Sequence, residues 1–201
     1  MSQHRSSRFV VAFSGKPTEQ EAAAEVVPLT RERTAGRRGI RWISDGLRVY
    51  RDLVGTVYRD PISRGSSRRG VLTPGVGLTQ LVKHREGGRV TKITVRHCFG
   101  EKTLDPYTVR VERLNGCLRD GLGCITRDTH AFTKRVGTWH GFMQMKLFEH
   151  NWLRPHPALR QKAADLPKGH RYRQRTPAMV IGLTHHVWSW TEFLTKRINP
   201  C

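Results

Sequence analysis

The first 57 residues alternate between strand-like and helix-like segments, and this order constrains the fold more than any other feature of the sequence. Residues 8–13 are rich in β-branched and aromatic side chains and stop at a Ser-Gly-Lys-Pro turn, which predicts a buried strand. Residues 39–46 predict a second strand, with Asp45 at its carboxyl end and a glycine turn behind it. A helix is predicted after each strand. The order indicates an α/β protein.

The first predicted helix carries its own start signal. Thr18 and Glu21 have the spacing of a capping box, and apolar residues follow at helical intervals. Pro28 should kink this short helix or end it early. The second helix is predicted over residues 47–57, where apolar residues recur every three or four positions.

The middle of the chain predicts a loop and a hairpin. Residues 59–77 are rich in Gly, Pro, Ser and Arg, which favours an exposed loop able to follow phosphate. Residues 78–83 and 89–98 predict two strands joined at Glu86-Gly87-Gly88. We interpret residues 59–100 as an insertion between the second predicted strand and the helices that follow.

The second half of the chain turns helical. A helix is predicted from Tyr107 onward, and another over residues 138–152 with a core-packing stripe of Trp139, Phe142, Met143, Leu147 and Phe148. Residues 154–175 are basic and interrupted by prolines, which predicts an irregular segment. Residues 189–196 predict a short last helix.

The charge of the chain points to a polyanionic partner. Lys plus Arg total 36 against 16 Asp plus Glu, for a formal net charge of +20. Nucleic acid fits this excess best, and an anionic membrane or a ribosome-like RNA site are the alternatives that composition leaves open. The four cysteines lack Cys-x-x-Cys spacing, and no apolar run is long enough to cross a bilayer. We expect reduced thiols and a cytoplasmic, nucleoid-associated protein with no membrane partner.

Three ordered motifs resemble the DDE transposases of insertion sequences, nearest to the insertion-sequence-one type. The first motif contains Asp45 and resembles the strand of the second catalytic aspartate. The second contains Glu112 and resembles the helix of the catalytic glutamate. The third resembles the tail that follows the catalytic residues. The motifs are Trp42-Ile43-Ser44-Asp45-Gly46; Val111-Glu112-Arg113-Leu114-Asn115-Gly116 with Thr126-Arg127 and Thr129-His130-Ala131-Phe132; and Phe148-Glu149-His150-Asn151-Trp152-Leu153-Arg154-Pro155-His156 with Arg175-Thr176-Pro177-Ala178-Met179.

The resemblance implies a ribonuclease H-like mixed sheet flanked by helices and a metal-dependent DNA strand cleavage and transfer. Asp45 and Glu112 are then the catalytic and metal-binding residues, with Asn115 in support. The implied cofactor is Mg²⁺ or Mn²⁺, because hard cations prefer carboxylate oxygens, and two ions can stabilise the attacking and leaving oxygens of phosphoryl transfer. The implied partners are the ends of the insertion sequence, its target DNA, and further copies of the chain.

The sequence departs from the family at the first catalytic aspartate. No aspartate precedes Asp45. We therefore expect a catalytic domain that is incomplete at its N-terminus over residues 1–153, followed by a basic, irregular tail over residues 154–201. Two-ion binding should be weak and strand transfer slow or absent.

The predicted DNA contacts are basic residues of the second half of the chain. Arginine and lysine on phosphate add affinity but little sequence specificity. The same side chains are also typical of a solvated surface. The predicted set is Arg119, Lys134, Arg154, Lys168, Arg171, Arg173 and Arg175.

Structural interpretations compete with the functional ones. Asp45 before a glycine is typical of a turn, and Glu112 of a solvated helix surface. For His150, His156 and the pair His185-His186, packing or phosphate contact is favoured over zinc, because no matched ligand spacing is present.

Three functions compete. The first is an active transposase. The second is a non-catalytic remnant or regulator that binds DNA or a full-length transposase, which the missing carboxylate favours. The third is an RNA-binding protein, which the two acidic motifs disfavour.

Overall fold

The computed structural model describes residues 1–34, 37, 39–60, 70–123, 135–163, 166–167 and 171–196. The fold is mixed α/β, as the alternating pattern predicts. The described strands are β1 (Ser2–Gln3), β2 (Val10–Ala12), β3 (Arg41–Asp45), β4 (Arg59–Asp60), β5 (Val71–Leu72), β6 (Gly77–Glu86), β7 (Arg89–Gly100), β8 (Gln161–Lys162) and β9 (Tyr172–Arg173). The described helices are α1 (Glu19–Arg33), α2 (Arg48–Val57), α3 (Val109–Gly121), α4 (Val136–Phe148), α5 (Pro177–Val180) and α6 (Trp190–Thr195).

The chain divides into two compact units. Unit 1 comprises Met1–Ser2 and Val11–Asn115, and unit 2 comprises Gln3–Val10 and Gly116–Cys201. The expected partition into a catalytic domain over residues 1–153 and a tail over residues 154–201 stays a prediction.

Helix α1 begins as predicted but does not end early. The Thr18 hydroxyl accepts a hydrogen bond from the amide of Glu21 at 3.2 Å and caps the helix. The prediction that Pro28 ends the helix early is wrong, since α1 continues to Arg33, and the predicted kink stays a prediction. Pro28 and Ala24, whose carbonyl loses its helical donor, are both exposed, so water can hydrate that carbonyl. The buried side chains of Val27 and Thr30 meanwhile hold the last turns against the core.

Unit 1 is built on a three-stranded sheet in the order β3-β6-β7. β3 runs parallel to β6, and β6 pairs antiparallel with β7 in the predicted hairpin. Gly87 and Gly88 both have positive φ, +55° and +79°, as the tight turn of a hairpin requires. Both strands are longer than predicted, because the cross-strand ladder continues to the pair Gly77 and Gly100.

The core of unit 1 lies between α1, α2 and one face of the sheet. Val27 of α1, Val54 of α2, Tyr58 and Val76 form its buried cluster. Trp42 of β3 packs against this cluster, and its ring meets that of Tyr58 edge to face at 6.0 Å. Val76 falls at the end of the predicted exposed loop, so that part of the prediction is wrong.

Part of the predicted loop is held by backbone hydrogen bonds. β4 and β5 form a short antiparallel ladder, and the amide of Glu101 donates to the carbonyl of Val76 at 3.2 Å. This contact draws Val76 into the core beside Gly77, where any side chain would collide with the backbone of Glu101. Residues 61–69 of the loop lie outside the described residues.

The helix predicted over residues 138–152 is present in unit 2, but part of it is a π-helix. α4 ends at Phe148 and continues as a π-helix over Glu149–Leu153, where the amide of Arg154 donates to the carbonyl of Glu149 at 2.9 Å. Met143 and Leu147 are buried as predicted, whereas Phe142 is 48% exposed, which corrects its assignment to the core. The wider π-turn changes which side chains face inward relative to a regular helix.

The π-helix holds the N-terminal segment of unit 2. Asn151 is buried, accepts from the amide of Val10 at 2.9 Å and donates to its carbonyl at 3.0 Å. Both backbone groups of Val10 are thereby satisfied by one side chain.

The basic segment after residue 153 is more ordered than predicted. It contains a 3-10 turn at Pro157–Leu159 and the ladder between β8 and β9. Thr176 is fully buried and caps α5 through the amide of Met179 at 3.3 Å. The predicted last helix is confirmed as α6, which Ser189 caps.

Candidate functional site

Asp45 ends β3 and begins the turn into α2, as the sequence predicts. Its side chain is exposed, and Oδ1 accepts from the amide of Leu47 at 3.3 Å. Through this hydrogen bond Asp45 stabilises the turn, which is the structural alternative to a role as a metal ligand. Among the described residues no hydrogen-bond donor contacts the other carboxylate oxygen, so the two roles are compatible.

Gln80 fixes the turn from the central strand. Its side chain is 1% exposed, and its Nε2 donates to the main-chain oxygens of Asp45 and Leu47, both at 2.9 Å. The thiol of Cys98 donates to Gln80 Oε1 at 3.5 Å. Because both carbonyls are held by one amide, the path of the chain through Asp45 is constrained.

Glu112 lies in the first turn of α3 and is held by two donors. Lys83 Nζ lies 2.5 Å from Oε1, and the Thr108 hydroxyl donates to the same oxygen at 2.5 Å. The hydrogen bond from Lys83, followed by that from Thr108, lowers the pKa of Glu112 below its ordinary value. The carboxylate is ionised at neutral pH and its side chain is 48% exposed.

The sheet register brings Asp45 and Glu112 to one face. Asp45 pairs with Leu81, and Lys83 lies two residues farther along β6. Side chains of paired residues, and those two residues apart on a strand, point to the same face of a sheet. Asp45 and Lys83 are therefore diagonal neighbours on adjacent parallel strands. Since Lys83 contacts Glu112, the two predicted catalytic carboxylates lie on the same side of the sheet.

Sequence reasoning missed Gln80 and Lys83. A signal for Lys83 existed, because it follows Leu81 at the two-residue period of a strand and so shares the face of Leu81. A cation on that face is a possible partner for a carboxylate on a neighbouring element. No sequence pattern pointed to Gln80, since it binds the main-chain oxygens of Asp45 and Leu47, which lie far from it in the sequence.

Asp45 and Glu112 are of the chemical type that binds a divalent ion, and Lys83 already pairs with Glu112. Magnesium is often held by one or two carboxylates, with water and substrate phosphate completing its shell. Asp45 and Glu112 supply two such groups on one face. Among the described residues there is no cluster of three or more His, Cys, Asp or Glu side chains suited to a metal, so a full two-ion site is not assembled from them.

The described members of the predicted DNA-contacting set belong to unit 2. Arg119, Arg154, Arg171 and Arg173 are exposed. Arg175 is half-buried and donates to Gln161 Oε1 at 2.7 Å. Asn115 is half-buried in α3. Lys134, Lys168 and the motif residues 126, 127 and 129–132 lie outside the described residues.

The histidines have packing partners. His150 is largely buried, and its Nε2 lies 3.0 Å from the carbonyl oxygen of Arg8; burial lowers its pKa. His156 Nε2 lies 2.7 Å from the Arg8 guanidinium. His186 lies 2.9 Å from the carboxylate of Glu192.

None of the helices in the described part of the chain combines the length and the apolar composition that crossing a bilayer requires.

Comparison with known proteins found no matching family model, no matching curated protein and no matching solved structure.

Proposed function

We propose that this chain is part of an insertion-sequence transposase and acts on DNA, with Asp45 and Glu112 as two of its metal-binding carboxylates. The observation that carries the proposal is their common face. Two acids predicted as ligands from separate motifs lie on one side of one sheet, connected through Lys83. A ribonuclease H-like arrangement and a DNA partner are parts of this proposal, and the formal charge of +20 supports the latter.

Each residue has a separate task. Gln80 fixes the main chain at Asp45, and Thr108 orients Glu112. Lys83 forms an ion pair with the Glu112 carboxylate, and a cation bound at that oxygen would take the place of the ammonium. A bound Mg²⁺ or Mn²⁺ would supply Lewis-acid stabilisation of charge on a DNA phosphate.

Iron-mediated cleavage of the chain tests the proposed site without depending on transposition. Fe²⁺ substituted for Mg²⁺ in the presence of ascorbate and peroxide cuts the backbone beside the bound ion. We expect fragments that end near Asp45 and Glu112, and loss of both in Asp45→Asn and in Glu112→Gln. Asp52→Asn, at an exposed position on α2, is the matched control and should cut as the wild type does. Identical fragments in all variants would contradict the proposal.

A second candidate function is a non-catalytic DNA-binding regulator. The observation that favours it is the Lys83 ammonium, which neutralises Glu112 where an ion would otherwise bind. A chain that retains duplex DNA but does not nick it with Mg²⁺ or Mn²⁺, before and after Lys83→Met, supports the regulator. Nicking that depends on Asp45 and Glu112 supports the transposase.

A further inference from the structure

The distal part of the β6–β7 hairpin stands clear of the rest of its sheet. β3 ends at Asp45, opposite Leu81, so beyond Leu81 the only described strand paired with β6 is β7. The residues from His84 to His97 are all exposed. The paired segment from Val82 to Glu86 extends roughly 15 Å at the rise of a β-strand. We call this two-stranded segment the ribbon; it comprises Val82–Glu86 and Arg89–Thr94.

The two faces of the ribbon differ in chemistry. The register pairs Val82 with Thr94, His84 with Lys92 and Glu86 with Arg89, so these side chains share one face. His84 Nε2 lies 2.9 Å from the Thr94 hydroxyl, as expected for neighbours on that face. The opposite face carries Lys83 and Arg85 with exposed Val90 and Ile93. The first face is therefore polar and basic.

The charge of the ribbon selects a polyanion. Lys and Arg occur at four of its positions, against a single acid, Glu86; Lys83 is paired with Glu112, which leaves Arg85, Arg89 and Lys92. Like-charged side chains held side by side repel one another, and phosphate relieves that repulsion. The tight Gly87-Gly88 turn and the paired ladder, which has one register shift between His84 and Arg85, make the ribbon a preformed element, so binding costs little ordering entropy.

Groove dimensions distinguish DNA from RNA. The major groove of B-form DNA, about 12 Å wide and about 8.5 Å deep, admits a two-stranded β-ribbon. The major groove of an A-form RNA helix is deep and too narrow for side chains to read. A rigid ribbon that projects roughly 15 Å matches the first groove and not the second.

We propose that the ribbon enters the major groove of double-stranded DNA with its polar face toward the base edges. Arg89 and Lys92 then contact phosphate or guanine, and Thr94 and His84 face the bases. The inference rests on the proposed action on DNA and adds a duplex-binding element outside the Asp45–Glu112 site. It assigns a role to the inserted hairpin that none of the sequence motifs covers.

Salt-dependent binding of the full chain to a short duplex DNA tests the proposal. The test variant is Arg89→Ala with Lys92→Ala. The matched control is Arg48→Ala with Arg51→Ala, which removes the same charge from exposed positions on α2. The ribbon variant should lose about tenfold or more in affinity, and the slope of log K against log salt should fall by about 2. The control should keep the wild-type slope. Equal losses in both variants would overturn the proposal.

Dimethyl sulfate probing identifies the groove. Guanine N7 lies in the major groove and adenine N3 in the minor groove. We expect protection of guanine N7 by the wild type and loss of that protection in the ribbon variant. Protection confined to adenine N3, or binding of an RNA duplex of the same sequence as tightly as DNA, would overturn the assignment.

The failure of this proposal and of the proposed function are distinguishable. Asp45→Asn and Glu112→Gln should leave duplex affinity and the N7 pattern unchanged, because neither side chain lies on the polar face of the ribbon. Arg89→Ala with Lys92→Ala should leave iron-mediated cleavage near Asp45 and Glu112 unchanged. Circular dichroism of each variant verifies that the chain is folded.

Discussion

The buried side-chain amide of Gln80 donates to the main-chain oxygen of Asp45 at 2.9 Å, across the boundary between β6 and the end of β3. The same amide group also donates to the oxygen of Leu47. An interior polar group on the central strand thus determines where an exposed carboxylate sits.

Replacing Gln80 should destabilise unit 1. Gln80→Leu removes the donor and leaves two carbonyl oxygens with an apolar neighbour, which costs about 1–3 kcal/mol. Gln80→Glu should be worse, because a carboxylate faces those oxygens with no donor. Urea unfolding measures the free energy, and Gln144→Leu, at an exposed position on α4, is the control. Equal stability of Gln80→Leu and wild type would contradict the structural role.

Removing Lys83 should raise the pKa of Glu112 toward its ordinary value. The hydrogen bond from Lys83 is the largest cause of the lowered pKa, and the bond from Thr108 is the second. Lys83→Met should therefore raise the pKa more than Thr108→Val does. Carbon-13 NMR titration of the glutamate carboxyl measures both values. The reverse order, or no change in Lys83→Met, would show that the ion pair is absent in solution.

The same ion pair sets a direction for pH dependence. Because the folded-state pKa of Glu112 is lowered, its contribution to stability is present above the ordinary carboxyl pKa and is lost as pH falls through the lowered value. The contribution is small and salt-screened, because the Glu112 side chain is half exposed. Wild type should lose slightly more stability than Lys83→Met on acidification at low salt, and the difference should vanish at high salt.

His150 should make the stability of unit 2 fall on acidification at a higher pH than the one at which the contribution of Glu112 is lost. Burial is the main cause of its lowered pKa, so the unfolded chain takes up a proton before the folded chain does. Stability is fully present above the ordinary histidine pKa and falls as pH drops from that value toward the lowered one. His150→Gln retains a donor for the carbonyl of Arg8 but does not titrate. Its melting temperature should change less between about pH 7 and about pH 5 than that of the wild type.

Asn151 should protect the backbone of Val10 from exchange. Its amide occupies both hydrogen-bonding groups of Val10 in a buried setting. Asn151→Ala should cost about 2 kcal/mol or more, because both groups lose their partner. Hydrogen exchange at the Val10 amide should accelerate in Asn151→Ala and stay unchanged in Gln144→Ala. Unchanged protection in Asn151→Ala would contradict the assignment.

Local patterns predicted the elements that local physics controls. The Thr18 cap, the strand that ends at Asp45 and the Gly87-Gly88 turn each depend on residues a few positions apart, and all three are confirmed. The passage of α1 through Pro28 was not predictable in this way, since it depends on which face of the helix is buried.

In the candidate site, too, local features were predicted from the sequence and tertiary contacts were not. Sequence motifs nominated Asp45 and Glu112 separately, but the contact of Glu112 with Lys83 depends on how α3 lies on the sheet. Periodicity within α3 shows which residues share a helix face and carries no information on which strand residue that face meets. The buried partners of Gln80 depend likewise on the register between β3 and β6.

The outer edge of β7 has a consequence for how copies of this protein behave at high concentration. β7 is the edge strand of its described sheet, and unpaired strand edges are templates for aggregation. Arg89, Lys92 and Arg96 put a positive charge near each stretch of this edge, so two copies repel before their backbones can pair. That protection is electrostatic and weakens as salt screens it. Concentrated protein should therefore stay monodisperse in dilute buffer and self-associate through this edge in strong salt.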